Sequence, residues 1–181
     1  SANIACGYHA GDAHVMYKTV KLAKEHGVGV GAHPGYPDLV GFGRRNMDCT
    51  PEEVRDYVIY QIGAMKAFCA IHGVSLQHVK PHGSLYNMSV GNEPLIRAIV
   101  EAIAGVDRSV IYLALGGAQA PLVTKIAREA GIRVAFEAFP DRAYTPEGKL
   151  APRSLSGAVI KDPKLAAERA LRMAKEGKII T

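Results

Sequence analysis

The segment Val110-Ile-Tyr-Leu-Ala-Leu-Gly-Gly-Ala-Gln119 decides the fold class of this 181-residue chain. Its first six residues form an unbroken apolar run, which is typical of a strand covered on both faces. A helix is predicted over Ala118 to Ala130, and Gly131 ends it before a second strand over Ile132 to Glu137. This order predicts two parallel strands that are joined by a crossover helix.

The same alternation extends along the rest of the chain. Asp12 and Thr50 are predicted to cap two amphipathic helices, which end at Gly27 and Gly73. Two long loops follow the second and fifth strands, where prolines and glycines interrupt any periodicity. The remaining predicted strands cover 2–6, 28–32, 76–80 and a start at 178–181; the remaining predicted helices cover 93–104 and 163–176.

The alternation places the chain in the α/β class, as an open doubly wound sheet or a (β/α) barrel. No linker, low-complexity segment or repeat divides the sequence, so we expect a single domain over 1–181. The first strand–helix turn lacks GxGxxG, and GxxxxGK[ST] does not occur. The sequence therefore does not favour a dinucleotide-binding or P-loop protein.

The composition excludes several classes of protein. Hydrophobic residues make up 48%, which is too many for a disordered chain, and 22 Lys and Arg against 17 Asp and Glu give a net charge of +5. Basic residues are spread rather than blocked, and no apolar run approaches the roughly 20 residues of a membrane span. We expect no nucleic-acid partner and no membrane. Three scattered cysteines fit a reducing compartment, so we predict a cytoplasmic protein.

Polar residues collect where the predicted strands end. His9, His33 and His82 each follow a strand, and each has a glycine within the next two residues. In a parallel α/β layout these positions lie on one face, where active sites are built. Three histidines suit a metal ion or general acid–base work, and their spacing does not separate the two.

Basic residues near the same strand ends are candidates for binding anions. Lys80 closely precedes His82, while Arg44 and Arg45 lie in the long second loop, where they could clamp a phosphate or carboxylate. A solvated surface pair of arginines is the alternative. The full set of predicted substrate- and phosphate-binding residues is Lys80, Arg44, Arg45, Asp12, Asn87 and Arg142.

Two further side chains have a functional and a structural interpretation. Glu137, at the end of the fifth strand, is a candidate general base or metal ligand, or else a carboxylate paired with Arg142 or Arg153. Cys6 is a candidate nucleophile at the end of the first strand, or else a packed small hydrophobe.

The motifs at these positions closely resemble those of the LamB/YcsF family. The resemblance covers nearly the whole chain, and the His-Val-Lys-Pro-His-Gly and Ala-His-Pro-Gly motifs are specific to it. The similar segments are Ser1–Asp12, Val30–Asp38, Gly41–Arg45, Gln77–Asn87 and Glu137–Tyr144.

For the fold, the resemblance implies a (β/α) barrel of seven strands, related to polysaccharide deacetylases and some glycoside hydrolases. The family pattern Asn-x-Asp-x-Gly-Glu is expected before Ser1, and Cys-x-His-Gly-Asp is expected after Thr181. We therefore expect a barrel that is truncated at both ends and lacks its first and last strands.

For the function, the resemblance implies ATP-dependent opening of 5-oxoproline to L-glutamate, with ATP as co-substrate and with the partner subunits B and C of a 5-oxoprolinase complex. His9, His33, His82 and Glu137 are then the expected catalytic residues, and Lys80, Arg44 and Arg45 suit the anionic groups.

Two other functions stay open at this point. One is a metal-dependent hydrolase or deacetylase acting on acylated sugars, with a divalent metal at His9, His33 and His82. The other is a non-catalytic ligand-binding subunit. Exposed strand edges also leave pairing into a homo-oligomer open.

Overall fold

The computed structural model describes residues 1–179, in which five strands alternate with helices. The sheet order β1-β2-β3-β4-β5 follows the chain. The strands are β1 (Ala2–Ala5), β2 (Val30–His33), β3 (Leu76–Val79), β4 (Ile111–Leu115) and β5 (Arg133–Glu137). The helices are α1 (Ala13–Glu25), α2 (Pro51–His72), α3 (Gly83–Met88), α4 (Glu93–Val106), α5 (Ala120–Glu129) and α6 (Pro163–Glu176).

Neighbouring strands are parallel, and the predicted α/β class is confirmed. Closure of the sheet into a barrel stays a prediction. The strand predicted at 178–181 includes residues 180 and 181, which lie outside the described residues. None of the helices within 1–179 is long and apolar enough to cross a membrane.

The predicted helix signals act as expected. Asp12 accepts hydrogen bonds from two amides in the first turn of α1. Thr50 and Glu53 form a reciprocal capping box at the start of α2, which ends at Gly73 with a left-handed φ of 63°. The short helix α3 was not predicted, because six residues are too few to show helical periodicity.

The two faces of the sheet differ in chemistry. Ile4, Ala32 and Val79 are partners in register on one face and belong to the hydrophobic core, which helices α2 and α4 share. The opposite face carries Asn3 and His78 in register with Gly31, since side chains alternate along a strand. This second face is therefore the polar one.

A glycine in β2 allows one contact across that polar face. A Cβ at Gly31 would lie 2.0 Å from Nε2 of the His78 imidazole, so only glycine fits there. His78 Nε2 lies 2.7 Å from Asn3 Oδ1 and donates to it across the middle strand. His78 is thus a buried, hydrogen-bonded histidine.

The chain divides into two compact units. The first comprises 1–114 and 122–135, and the second comprises 115–121 and the chain from 136 onward. The hydrophobic core described above belongs to the first unit. The single domain expected over 1–181 stays a prediction.

Candidate active site

The structure brings His9, His33 and His82 together in the first unit. The rings of His9 and His82 stack, with centroids 3.8 Å apart and planes 5° apart. The ring of His33 stands edge-on to His82, with centroids 4.8 Å apart at 78°. His9 is only 2% exposed and His82 is buried as well, while His33 is half-buried. Three strand ends therefore deliver one compact histidine cluster.

Backbone carbonyls determine which ring nitrogens carry hydrogen. Nδ1 of His33 lies 2.6 Å from the carbonyl oxygen of Lys80, and Nε2 of His82 lies 2.8 Å from that of Phe42. A carbonyl oxygen only accepts, so each of these nitrogens must be a donor. In the neutral rings the other two nitrogens, His33 Nε2 and His82 Nδ1, therefore carry lone pairs.

These two nitrogens face each other at 3.1 Å. Two lone pairs at that distance repel, and the contact becomes a hydrogen bond only when one ring takes up a proton. Nδ1 of His9 is also buried and has no hydrogen-bond partner within residues 1–179. A proton bound between His33 Nε2 and His82 Nδ1 would gain a hydrogen bond, and the catalytic role of the three histidines stays a prediction.

The surroundings favour neutral rings. Burial lowers the pKa of His9 to about 3, with smaller contributions from His82 and His33. Burial also lowers the pKa of His33 to about 4, although the Lys80 carbonyl opposes the effect. The pKa of His82 is lowered by burial, and the positive charges of Arg44 and Lys80 lower it further. Neutral imidazole is the form that acts as a general base.

A loop that we call the strap, residues 38–45, packs on the histidine cluster. The Phe42 ring stands edge-on to His9 and His82, with centroid distances of 5.6 and 5.1 Å. Gly43 lies so close that a Cβ there would be 2.8 Å from His9 Cβ and 2.9 Å from His82 Cδ2. The Gly43 carbonyl accepts from the amide of Ser84 at 2.8 Å. The strap is thereby connected to α3, which directly follows His82.

An ion pair joins the two ends of the strap, Asp38 and Arg45. Asp38, with its side chain 2% exposed, bonds to the guanidinium of Arg45, whose own side chain is 64% exposed. Hydrogen bonding to Arg45 lowers the pKa of the Asp38 carboxyl to about 2. Arg45 was predicted to bind an anionic ligand, and here its guanidinium binds the Asp38 carboxylate, which joins the two ends of the strap. Its role in binding a ligand stays a prediction.

Two other cations lie near the histidines. Arg44 is exposed, and its guanidinium carbon lies 5.7 Å from the centroid of the Phe42 ring. The ammonium of Lys80 lies 5.9 Å from the ring of Tyr86. Both charges act on the pKa of His82, so an anion bound beside the cluster would meet positive potential.

Other predicted residues have structural roles or lie in the second unit. Asp12 is exposed and caps α1, and Asn87 is exposed near the end of α3. Glu137 belongs to the second unit, where its backbone carbonyl accepts from the amide of Gly116 at 2.9 Å. It lines a cavity of about 620 Å³ in that unit. The predicted roles of Asp12, Asn87 and Glu137 stay predictions.

Arg142 was predicted to bind substrate, and its contacts in the second unit indicate a structural role. The residue is 8% exposed, its Nε donates to the Ala158 carbonyl at 3.2 Å, and its Nη2 donates to the Ala151 carbonyl at 2.6 Å. These bonds hold two parts of the long loop after β5 together.

Cys6 has the environment of a packed residue and not of a nucleophile. It is buried, its thiol donates to the Ile4 carbonyl at 3.2 Å, and burial raises its pKa to about 12. A thiol with so high a pKa is not ionised at neutral pH. Cys49 and Cys69 are also free.

The three-histidine metal set predicted from the sequence does not fit this geometry. An imidazole binds a metal in the plane of its ring, and the parallel stacked planes of His9 and His82 do not converge on one ion. No group of three or more His, Cys, Asp or Glu side chains within residues 1–179 has the arrangement of metal ligands. We therefore derive no step through a metal held by these three residues.

Gln61 is a supporting residue that the sequence analysis missed. It lies on α2 and is fully buried, its Oε1 accepts from the Gly35 amide, and its Nε2 donates to the Gly35 carbonyl, both at 2.9 Å. A Cβ at Gly35 would lie 2.7 Å from His9 Nδ1, so this glycine sets the space for the ring. The sequence did contain one signal for Gln61, a polar amide on the apolar face of a predicted helix, between Val58 and Met65.

Comparisons with known proteins agree on one family. The sequence profile of the LamB/YcsF family matches residues 1–181. A Pyrococcus furiosus protein, named as the A subunit of 5-oxoprolinase, is 58% identical over 99% of this chain and 69% of its own length. A protein of the same name from Halalkalibacterium halodurans is 49% identical over 99% of this chain and 69% of its own length.

A solved structure supports the same relationship. The crystal structure of the lactam utilization protein from Thermus thermophilus superimposes with a TM-score of 0.88 at 52% identity. The match covers 98% of this chain and 71% of that chain.

Proposed function

The chain belongs to the LamB/YcsF family, and from this premise we propose that it acts as the A subunit of an ATP-dependent 5-oxoprolinase. Membership confirms the family that the sequence motifs predicted. The observation that carries the proposal is the 58% identity to a protein named as the A subunit of 5-oxoprolinase, over 99% of this chain. The reaction would open the lactam ring of 5-oxoproline and give L-glutamate.

The chemistry of a lactam explains why such a reaction would need ATP. Amide resonance makes the ring carbonyl a poor electrophile, and phosphorylation of its oxygen would activate the carbon. A site for this reaction has to hold a carboxylate and a phosphate and to direct a water molecule to the ring. Arg44 and Lys80 supply positive charge beside the histidine cluster, and this supports the assignment.

The histidine cluster offers a route for the protons. Water would add its oxygen to the activated carbon while its proton passes to the facing nitrogens of His33 and His82. The same proton would then pass to the ring nitrogen as the carbon–nitrogen bond breaks, which leaves the pair unchanged and gives an acyl phosphate. A second water would hydrolyse this acyl phosphate to L-glutamate and inorganic phosphate. The 3.1 Å approach of two lone pairs supports this role, because the pair gains a hydrogen bond when it is protonated.

The word subunit in the relatives' name implies a complex with further subunits. We propose that these are the 5-oxoprolinase subunits B and C and that ATP is used in the assembled complex. A cytoplasmic location is proposed on the same basis. Free cysteines at 6, 49 and 69 support it, because thiols persist in a reducing compartment.

Glutamate release from 5-oxoproline tests the proposal. The chain is assayed with and without ATP, and with and without subunits B and C. Glutamate that appears only in the complete mixture supports the function. Release of acetate from acylated sugars, by protein that contains a stoichiometric divalent ion, would support the deacetylase alternative instead. Full activity of the complex without this chain would leave only a non-catalytic role.

A further inference from the structure

The orientation of His82 depends on a carbonyl that is held in an unusual backbone conformation. Phe42 has a φ of 54°, in the left-handed region that residues other than glycine rarely adopt. Its carbonyl oxygen accepts from His82 Nε2 at 2.8 Å. A conformation of this kind is strained and persists only where the surroundings hold it.

Asp38 stabilises the backbone on both sides of Phe42. Its Oδ1 accepts from the Gly41 amide at 2.9 Å and from Arg45 Nε at 2.9 Å, while Oδ2 accepts from the Arg45 amide at 3.3 Å. Its own carbonyl accepts from the Gly43 amide at 2.8 Å. One buried aspartate thus binds the strap on both sides of Phe42.

If the Phe42 carbonyl moved away from His82 Nε2, the histidine pair could adopt a different tautomer. His82 could then carry its hydrogen on Nδ1 and donate it to His33 Nε2, which lies 3.1 Å away. Both rings would be neutral and hydrogen-bonded, and the pair would no longer offer two facing lone pairs. The titratable or charged groups that act on the pair are His9, His78, Lys80 and Arg44.

We propose that Asp38 is a positioning residue, which holds the strap so that the Phe42 carbonyl keeps hydrogen on His82 Nε2 and leaves His82 Nδ1 as the acceptor facing His33. Asp38 touches neither the histidines' ring nitrogens nor the reacting atoms in this scheme. It acts through the backbone of residues 41–43. The catalytic consequence rests on the proposed function, whereas the tautomer of His82 does not.

The first measurement is therefore independent of activity. Nitrogen-15 NMR of histidine-labelled protein reports which ring nitrogen of His82 carries hydrogen. We expect the Nε2–H form in the unmodified chain and a substantial fraction of the Nδ1–H form in D38N. The matched control is D107N, because Asp107 also has its pKa lowered to about 2, by a hydrogen bond from Lys66, and it has no bond to the strap.

The second measurement is the oxoprolinase assay in the assembled complex. We expect D38N to lower kcat, by up to about 100-fold, with little change in KM, since a group misplaced by about 1 Å can cost that much. D107N should keep kcat within about threefold of the unmodified chain, since it breaks no bond that orients the histidines. R45A serves if D38N does not fold, because it removes the side-chain bonds by which Asp38 holds Arg45 at the end of the strap, and the Arg45 side chain is itself mostly exposed.

The tautomer of His82 and the activity of the complex are measured separately. A tautomer change in D38N or R45A but not in D107N supports the positioning role, even if no glutamate is ever formed. Unchanged Nε2–H signals in folded D38N and R45A overturn it, whatever the activity. A divalent ion bound by His33 and His82 in the unmodified chain, in place of the Phe42 hydrogen bond, also overturns it.

Discussion

Polar residues follow the ends of β1–β3 and also the ends of β4–β5. The polar side chains of these two regions differ in their hydrogen-bond partners. After β1–β3, His9, His33 and His82 contact one another, two of their nitrogens face each other at 3.1 Å, and His9 Nδ1 has no hydrogen-bond partner within residues 1–179. After β5, Arg142 has carbonyl partners for its guanidinium within its own loop. A polar residue that follows a strand is therefore a candidate only until its partners are known.

The hydrogen-bond partners of a buried polar group determine whether it is available for chemistry. A buried group that has its hydrogen bonds gains nothing from a substrate, and removing it mainly costs stability. A buried lone pair without a donor gains a hydrogen bond when a proton or a ligand arrives. Four expected consequences follow, from the largest effect to the smallest.

The largest effect is expected from substitutions that separate the facing nitrogens. In H33N the amide can still donate to the Lys80 carbonyl, and in H82Q it can still donate to the Phe42 carbonyl, but neither variant keeps the facing pair. Loss of a general base costs about 10²–10⁴-fold, which we expect in the rate of glutamate release by the complex. H26Q, at the exposed end of α1, is the matched control. Activity within a few-fold of normal in H33N and H82Q would contradict the assignment.

A smaller effect, on stability alone, is expected in the second region. R142M keeps the length of the side chain but leaves the Ala151 and Ala158 carbonyls without their donors. We expect the free energy of unfolding to fall by about 3 kcal/mol, as is typical when buried partners of a charged donor are left unbonded. Urea denaturation measures the loss. A fall in kcat of the folded complex comparable to that of H33N would instead place Arg142 in the substrate site.

A glycine pair tests how tightly the histidine cluster is packed. The added methyl group of G35A would lie 2.7 Å from His9 Nδ1, so we expect a loss of about 2 kcal/mol. Gly63 is exposed within α2, and a methyl group added there would have nothing within 4 Å, so G63A should gain about 0.5–1 kcal/mol. Thermal unfolding of the two variants should shift in opposite directions, and equal shifts would contradict the packing.

A fall in pH should lower the stability of the region that contains the histidine cluster before that of the region after β5. All seven histidines precede residue 115, and the folded-state pKa values of His9 and His33, about 3 and about 4, lie below the unfolded value of 6.5. Between pH 6.5 and these values the unfolded chain binds more protons, so stability falls as the pH falls. The slope is at most about 1.4 kcal/mol per pH unit for each histidine. Hydrogen exchange at pH 7 and pH 5 measures it region by region, and equal protection at both pH values would contradict it.

The sequence by itself determined the alternation of strands and helices, the caps at Asp12 and Thr50, and the gathering of His9, His33 and His82. These features depend on local signals: apolar runs, capping residues, and the fact that parallel strands end on one side of a sheet. The family also followed from short motifs. Helix α3 was not predicted, because it is shorter than two helical turns.

Only the tertiary structure decided which of the polar residues are partnered. Asp38 binds Arg45, His33 binds the Lys80 carbonyl, and His82 binds the Phe42 carbonyl, across separations of 7, 47 and 40 residues. Hydrogen bonds and ring stacking depend on distances and angles between side chains from different loops, which no local pattern encodes. The protonation of the histidine pair, and with it the proposed chemistry, depends on those contacts.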